Sequence, residues 1–191
     1  MTDAKTIEDL NSFLDDSKIS KKLILTSIHI SLFELINYQV VNALKYFFSN
    51  DIRLINGKLV TCDETQEYID NVKRHFKKDL YKSSAYWYMT NDIIEKDDFD
   101  LLVKFRDDRN DAAHEIINIL FDSNFSIVHA DFKKVVDIYK KICLWWIREV
   151  ESTTNPAFDN INRDTFDFEK AIEPQLFPAN RLLDLLKNID N

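Results

Sequence analysis

Arginine, asparagine and histidine crowd one short stretch, Phe-Arg-Asp-Asp-Arg-Asn-Asp-Ala-Ala-His-Glu-Ile, residues 105–116. In this stretch Arg109, Asn110 and His114 are of the types that could cut an RNA strand without a metal. Attack by the strand's own 2′-hydroxyl needs a proton acceptor, a proton donor for the leaving oxygen, and positive charge beside the phosphate. Histidine titrates near neutrality and can fill the first or the second role. Arginine stays charged and binds two phosphate oxygens at once. Asn110 can orient either group or hydrogen-bond RNA, and Arg106 is an accessory cation one turn upstream.

On a helix, positions four apart lie in a row, so Arg106, Asn110 and His114 share one face. Arg109 projects about 140° away from His114, by the 3.6-residue period. One straight helix therefore does not close this site. A second helix or a second chain must complete it, and a homodimer with a composite site is the expectation, since a two-fold contact presents the same patch twice.

Other chemistry fits these residues less well. The arginines and His114 beside Asp107, Asp108, Asp111 and Glu115 could form a salt-bridged surface, where such pairs contribute little. Asp111 and His114 also have the i, i+3 carboxylate–histidine spacing of di-iron bundles, which need a second such pair. His29, His75 and His129 are instead preceded three residues earlier by Thr26, Val72 and Ser126. No metal and no cofactor is predicted. No Gly-rich phosphate loop and no Ser or Cys nucleophile motif is present.

The elements that must position the stretch are helices. One glycine and three prolines in 191 residues leave little material for the tight turns of an all-β fold. Apolar residues from Leu25 to Phe47 recur at steps of three or four and predict a long central helix over 21–49. Asn56-Gly57, between two short β-prone runs, predicts a hairpin at about 52–61. Asp63 with Gln66 predicts a capping box and a helix running to about Tyr81. Asp97 or Asp98 should cap the motif helix, which should end near Phe121. A last long helix is predicted over 130–151, with Phe132, Val135, Tyr139, Ile142 and Trp146 facing the core. After Ser152, Pro156, Pro174 and Pro178 predict an irregular extension ending in a short helix at 180–188. The expected fold is all-α: an up-down bundle of about four main helices over residues 1–151, a small inserted β-hairpin, and a C-terminal extension over 152–191.

Arg109-Asn110-Asp111-Ala112-Ala113-His114, on the third main helix of such a bundle, resembles the Arg-x(4–6)-His motif of HEPN domains. The likeness covers roughly residues 20–151. These small helical domains occur in prokaryotic toxin–antitoxin, abortive-infection and CRISPR-linked proteins, and many are metal-independent endoribonucleases. The resemblance implies an RNA substrate, a homodimer, and catalytic roles for Arg109, Asn110 and His114. It leaves room for a cognate antitoxin protein as a further partner. It also implies an alternative, a HEPN-like module that dimerises or binds without catalysis. Related domains often carry a polar residue on the first helix near the motif, and Glu34 and Asn37 hold that position here.

Lys73, Arg74, Lys77, Lys78 and Lys82 make a basic stripe, with Tyr81, Tyr86, Trp87 and Tyr88 beyond it. It could track an RNA backbone and stack bases, or be a solvated helix face beside core aromatics. The formal net charge of −8 argues against coating nucleic acid or anionic membrane by bulk attraction. The N-terminal residues lack the apolar core of a signal peptide, no apolar run of about 18 residues is present, and Cys62 and Cys143 lack partners at metal spacing. A cytoplasmic setting without membrane contact is expected.

Overall fold

A computed structural model describes residues 4–49, 52–61, 64–125 and 129–189. The fold is all-α, and the described residues form nine helices where the sequence predicted about four. α1 is Ala4–Phe13. α2 runs from Asp16 to Asn37, continues through a π-helical turn at Tyr38–Asn42, and finishes as Ala43–Phe47. Two short strands follow, β1 (Ile52–Ile55) and β2 (Lys58–Thr61), paired antiparallel about Asn56-Gly57, which both take positive φ. α3 covers Gln66–Tyr68 and the π-helical Ile69–Lys73. α4 is Leu80–Thr90, α5 is Lys96–His114 and α6 is Ile116–Phe121. α7 joins His129–Trp145 to a π-helical Trp146–Glu151 and Ser152–Thr154. α8 is Phe168–Ala171 and α9 is Glu173–Ile189.

α2 starts where the Asp15 carboxylate accepts the Ser17 and Lys18 N–H groups at 3.0 and 3.3 Å. Leu25, Ile28, Leu32, Ile36, Val40 and Leu44 then recur at three- or four-residue steps and are all buried. That row packs against α5 and α9, while α7 meets its π-helical turn. By length and composition α2 is also apolar enough to cross a membrane, alone among the described helices, yet half of its apolar window is buried inside the fold. Its apolarity is that of a core helix. One chain of polar groups crosses the core. The Trp146 Nε1–H donates to the Tyr88 hydroxyl at 2.9 Å, and that hydroxyl donates to the Gln39 carbonyl at 3.2 Å.

Several predicted boundaries move. Asp63, the expected cap, lies outside the described residues. Thr65 caps α3, accepting the Tyr68 N–H at 3.1 Å and donating to the Phe48 carbonyl at 2.6 Å. The helix expected to reach Tyr81 stops at Lys73, turns through residues 74–79, and restarts at Leu80. Val72, Phe76 and Leu80 keep a four-residue spacing across this break, which disguises it in the sequence. The cap of α5 is Glu95, whose N–H donates to the Asp98 carboxylate at 3.2 Å, and not Asp97 or Asp98. The predicted helix end at Phe121 falls in two pieces, because Glu115 leaves helical geometry at φ −107, ψ 22.

The C-terminal segment is more regular than its prolines suggest. Pro174 occupies the first turn of α9, where a missing N–H costs nothing, while Pro178 sits inside the helix. Ile172, Leu176, Ala179 and Leu186 are buried as α9 packs on α2 and α7. α1 and α6 pack beside the start of α2, with Phe13 and Phe121 stacked at 3.9 Å. Lys22, itself buried, donates to Ser12 Oγ and to the Leu120 and Asp122 carbonyls at 3.2, 2.9 and 2.8 Å. An ammonium has three N–H groups, so this one is fully used, and it also neutralises the carbonyl end of α6.

Candidate functional site

α5 positions the motif. Phe99, Leu102 and Phe105 are buried on one side of it and fix its rotation against α2, α4 and α7. His29 of α2 adds a directional tie. Its Nε2–H donates to the Phe105 carbonyl at 2.9 Å, and its ring lies 4.2 Å from that of Phe105. Burial lowers the His29 pKa, so this histidine is a neutral structural group.

With the rotation set, the two motif arginines turn toward different neighbours. Arg106 reaches the turn before α4, where its Nη1 lies 2.5 Å from both Asp79 oxygens. Its Nη2 also donates to Asp107 at 2.8 Å. Asp79 is at the same time the cap of α4, accepting the Lys82 N–H at 2.9 Å. Arg109 turns toward α2. Its Nη2 pairs with the Glu34 carboxylate, its Nη1 donates to Asn110 Oδ1 at 3.1 Å, and its guanidinium lies 5.0 Å over the Phe33 ring. Phe33 and Tyr81 are 5.2 Å apart, and Arg106 lies 5.7 Å over Tyr81. Two aromatic rings thus separate and support two guanidinium groups.

Two buried donors in this cluster have no acceptor among the described residues. They are Arg109 Nε and the Tyr81 hydroxyl. Burial pushes the Tyr81 pKa above the ordinary phenol range despite the nearby Arg106, so the hydroxyl keeps its proton. A buried donor without an acceptor costs about 1–3 kcal/mol. Both atoms are shielded from solvent by the packing around them.

The structure gathers Arg109, Asn110 and Glu34, and sets Arg106 beside them on Asp79. It does not bring His114 to this group. His114 is the last residue of α5, is exposed, and has no hydrogen bond or ion pair among the described residues. The acidic neighbours of Arg109 are not its partners. Asp108 pairs with Lys104 at 2.7 Å, and Lys104 reaches Asp131 at 3.1 Å. Asp108 and Asp111 line a cavity of about 380 Å³ on the other side of α5, floored by Phe105, Phe132 and His29. No group of three or more His, Cys, Asp or Glu among the described residues is placed to hold a metal ion.

The predicted basic stripe is not one helix face. Lys73 ends α3 and pairs with Glu64 at 2.6 Å. Arg74, Lys77 and Lys78 stand on the turn that follows, exposed and without an acidic partner among the described residues. Lys82, on α4, lies 4.7 Å over the Phe76 ring. Tyr81, expected among the aromatics beyond the stripe, lies instead under Arg106 and against Phe33, while no spacing in the sequence singles out Asp79 or Phe33 as site residues. Each is an ordinary residue of an apparently continuous apolar pattern, and only the break before Leu80 gives Asp79 its double role. Cys143 is buried, which pushes its thiol up to about 12 and removes it as a nucleophile. No protein-family model, no curated protein and no solved structure matches the chain.

Proposed function

We propose that the chain is a HEPN-like, metal-independent endoribonuclease, cytoplasmic and prokaryotic, acting in defence or toxin–antitoxin control. The observation that carries this reading is the cluster of Arg109, Asn110 and Arg106 on one helix. A phosphodiester has the charge and the free oxygens to occupy it. Arg109 would exchange the Glu34 carboxylate for phosphate oxygens, and Asn110 would hold the guanidinium in orientation. His114 would accept the 2′-hydroxyl proton or donate one to the departing 5′-oxygen. The products are a 2′,3′-cyclic phosphate and a 5′-hydroxyl end.

A single chain leaves His114 apart from Arg109, so the reading requires a homodimer in which the partner brings its own copy of the motif to one groove. Apolar surface beside His114 supports a partner there. Ile117 is 62% exposed, and Leu10 and Leu14 of the neighbouring N-terminal segment are 50% and 69% exposed. A cognate antitoxin protein is the second partner this reading allows.

The test is RNA cleavage by purified protein with EDTA present. Wild type should cut and leave cyclic phosphate ends, and His114→Ala should lose a factor of about 10²–10⁴ while melting at the same temperature. Equal cutting by both proteins removes His114 from the mechanism. Mixing Arg109→Ala with His114→Ala chains should restore part of the activity, because a mixed dimer rebuilds one intact site. A monomeric mass in solution would rule out the composite site. A specific observation also favours a second reading, a HEPN-like dimerisation or binding module without catalysis: both motif arginines already hold carboxylates, Asp79 and Glu34. Failure to cut any RNA, with a dimer present, would select it.

A further inference from the structure

The turn at residues 74–79 has three properties not explained by packing. Its three exposed cations, Arg74, Lys77 and Lys78, have no carboxylate opposite them among the described residues, on a chain whose net charge is −8. It is held rigidly from below. The buried Ser83 hydroxyl accepts the Phe76 N–H at 3.0 Å and donates to the Phe76 carbonyl at 3.2 Å, and the Asp79 N–H returns to the Phe76 carbonyl at 2.8 Å. It is also fastened to the motif helix, because Asp79 closes the turn and holds Arg106. A mobile loop of lysines would pay ordering entropy on binding; this one is ordered in advance.

The same turn presents a ring. His75 is exposed and lies 4.8 Å from the half-buried Tyr86 ring, which itself rests on Phe76 and Phe99. Cations spaced around a supported ring suit a strand whose bases are free to stack, since every base has a π-face and every nucleotide a phosphate. A duplex hides those faces, and an acidic peptide has no need of the ring.

We propose that the 74–79 turn binds the backbone of single-stranded RNA, as a track leading to the Arg106–Arg109 cluster. Arg74, Lys77 and Lys78 contact phosphates, and His75 backed by Tyr86 stacks a base. Asp79 is the joint between track and motif, since it fixes the turn and Arg106 together. The inference rests on the RNA reading above for its direction toward the motif, whereas the binding itself does not depend on cleavage.

The test measures binding of a fluorescein-labelled oligouridine of about twelve nucleotides to the full chain carrying His114→Ala, so that nothing is cut. Kd is followed by anisotropy between about 50 and 200 mM salt. Adding Lys77→Ala and Lys78→Ala should lower the slope of log Kd against log salt by about 1.4, two contacts at about 0.7 each for a single strand. Lys77→Arg with Lys78→Arg should restore it. Removing the same charge elsewhere, with Lys133→Ala and Lys134→Ala on α7, should leave the slope unchanged. The proposal is overturned if the turn pair behaves like the α7 pair, or if the parent protein binds no RNA at low salt. It is equally overturned if the turn pair loses binding to phosphatidylserine vesicles and keeps its RNA affinity. Cleavage by the protein with His114 intact is scored separately. A changed slope without any cutting removes the nuclease and keeps the track; cutting with an unchanged slope does the reverse.

Discussion

The two ends of α5 are made of the same helix and obey different rules. From Phe99 to Phe105 the side chains are placed by packing, with Leu102 wholly buried and Phe105 at 2% exposure. Beyond it the two arginines are placed by charge, Arg106 on Asp79 of the turn before α4 and Arg109 on Glu34 of α2. The first end is specified by shape and excludes water. The second is built from ion pairs that cross to other elements. The contrast predicts that substitutions at the first end change stability, and those at the second change binding and rate.

The largest stability effect is expected at the packed end. Phe105→Ala removes a ring that touches both His29 and Phe132 and should cost about 3–5 kcal/mol, read as a fall in the thermal or denaturant midpoint. His114→Ala should stay within about 0.5 kcal/mol of wild type. The division of α5 breaks down if the two substitutions destabilise the chain alike.

A pH dependence follows from the tie between α2 and α5. Burial holds the folded pKa of His29 below its ordinary value of 6.5, opposed by its bond to the Phe105 carbonyl and by Asp108. The unfolded chain therefore binds the proton first. Stability is complete above about pH 6.5 and falls as pH drops through that value toward the folded pKa. His29→Gln keeps an N–H donor for Phe105 and does not titrate, so its melting temperature should vary less between about pH 7 and 5. An unchanged pH profile would mean that His29 is not the group responsible.

Legibility in the sequence followed the same division. The buried row of α2 and the core face of α7 stand out because their periodicity is imposed by packing, and packing acts on many residues at once. Arg109 and His114 could be set about 140° apart from the helical period alone. Their partners could not. Nothing local distinguishes Asp107, Asp108 and Asp111, which lie nearest in sequence, from Glu34, which lies 75 residues away and is the partner. Glu34 entered through family likeness and not through any spacing. The break after Lys73 was hidden for a related reason: the apolar spacing continues through it, while the turn is set by Ser83 and Asp79 satisfying backbone groups.

A smaller effect is expected at Asp79, where the two regimes meet. Asp79→Asn keeps an oxygen for the Lys82 N–H and loses the charge that holds Arg106. A lost cap alone costs about 0.5–2 kcal/mol, so the asparagine variant should lose less than Asp79→Ala. The difference between the two variants measures the cap separately from the ion pair. If Asp79→Asn is as destabilised as Asp79→Ala, the guanidinium is the main constraint on the turn.

The smallest stability effect, and the one that bears most directly on function, belongs to Arg109 and Glu34. Their side chains are 24% and 52% exposed, so water screens the pair and a double-mutant cycle should give a coupling of only about 0.2–1 kcal/mol. Stability is therefore not the reason for the pairing. If Arg109 serves to bind an anion, Glu34 is its resident competitor. Glu34→Gln removes the charge, keeps the shape, and leaves the guanidinium over Phe33 with Asn110 still accepting from Nη1. Phosphate or oligouridine should then bind more tightly to Glu34→Gln than to wild type, and the gain should disappear when Arg109→Ala is added. The outcome that would sink this view is unchanged affinity in Glu34→Gln together with a coupling well above 1 kcal/mol. In that case the charged end of α5 would be as structural as its packed end.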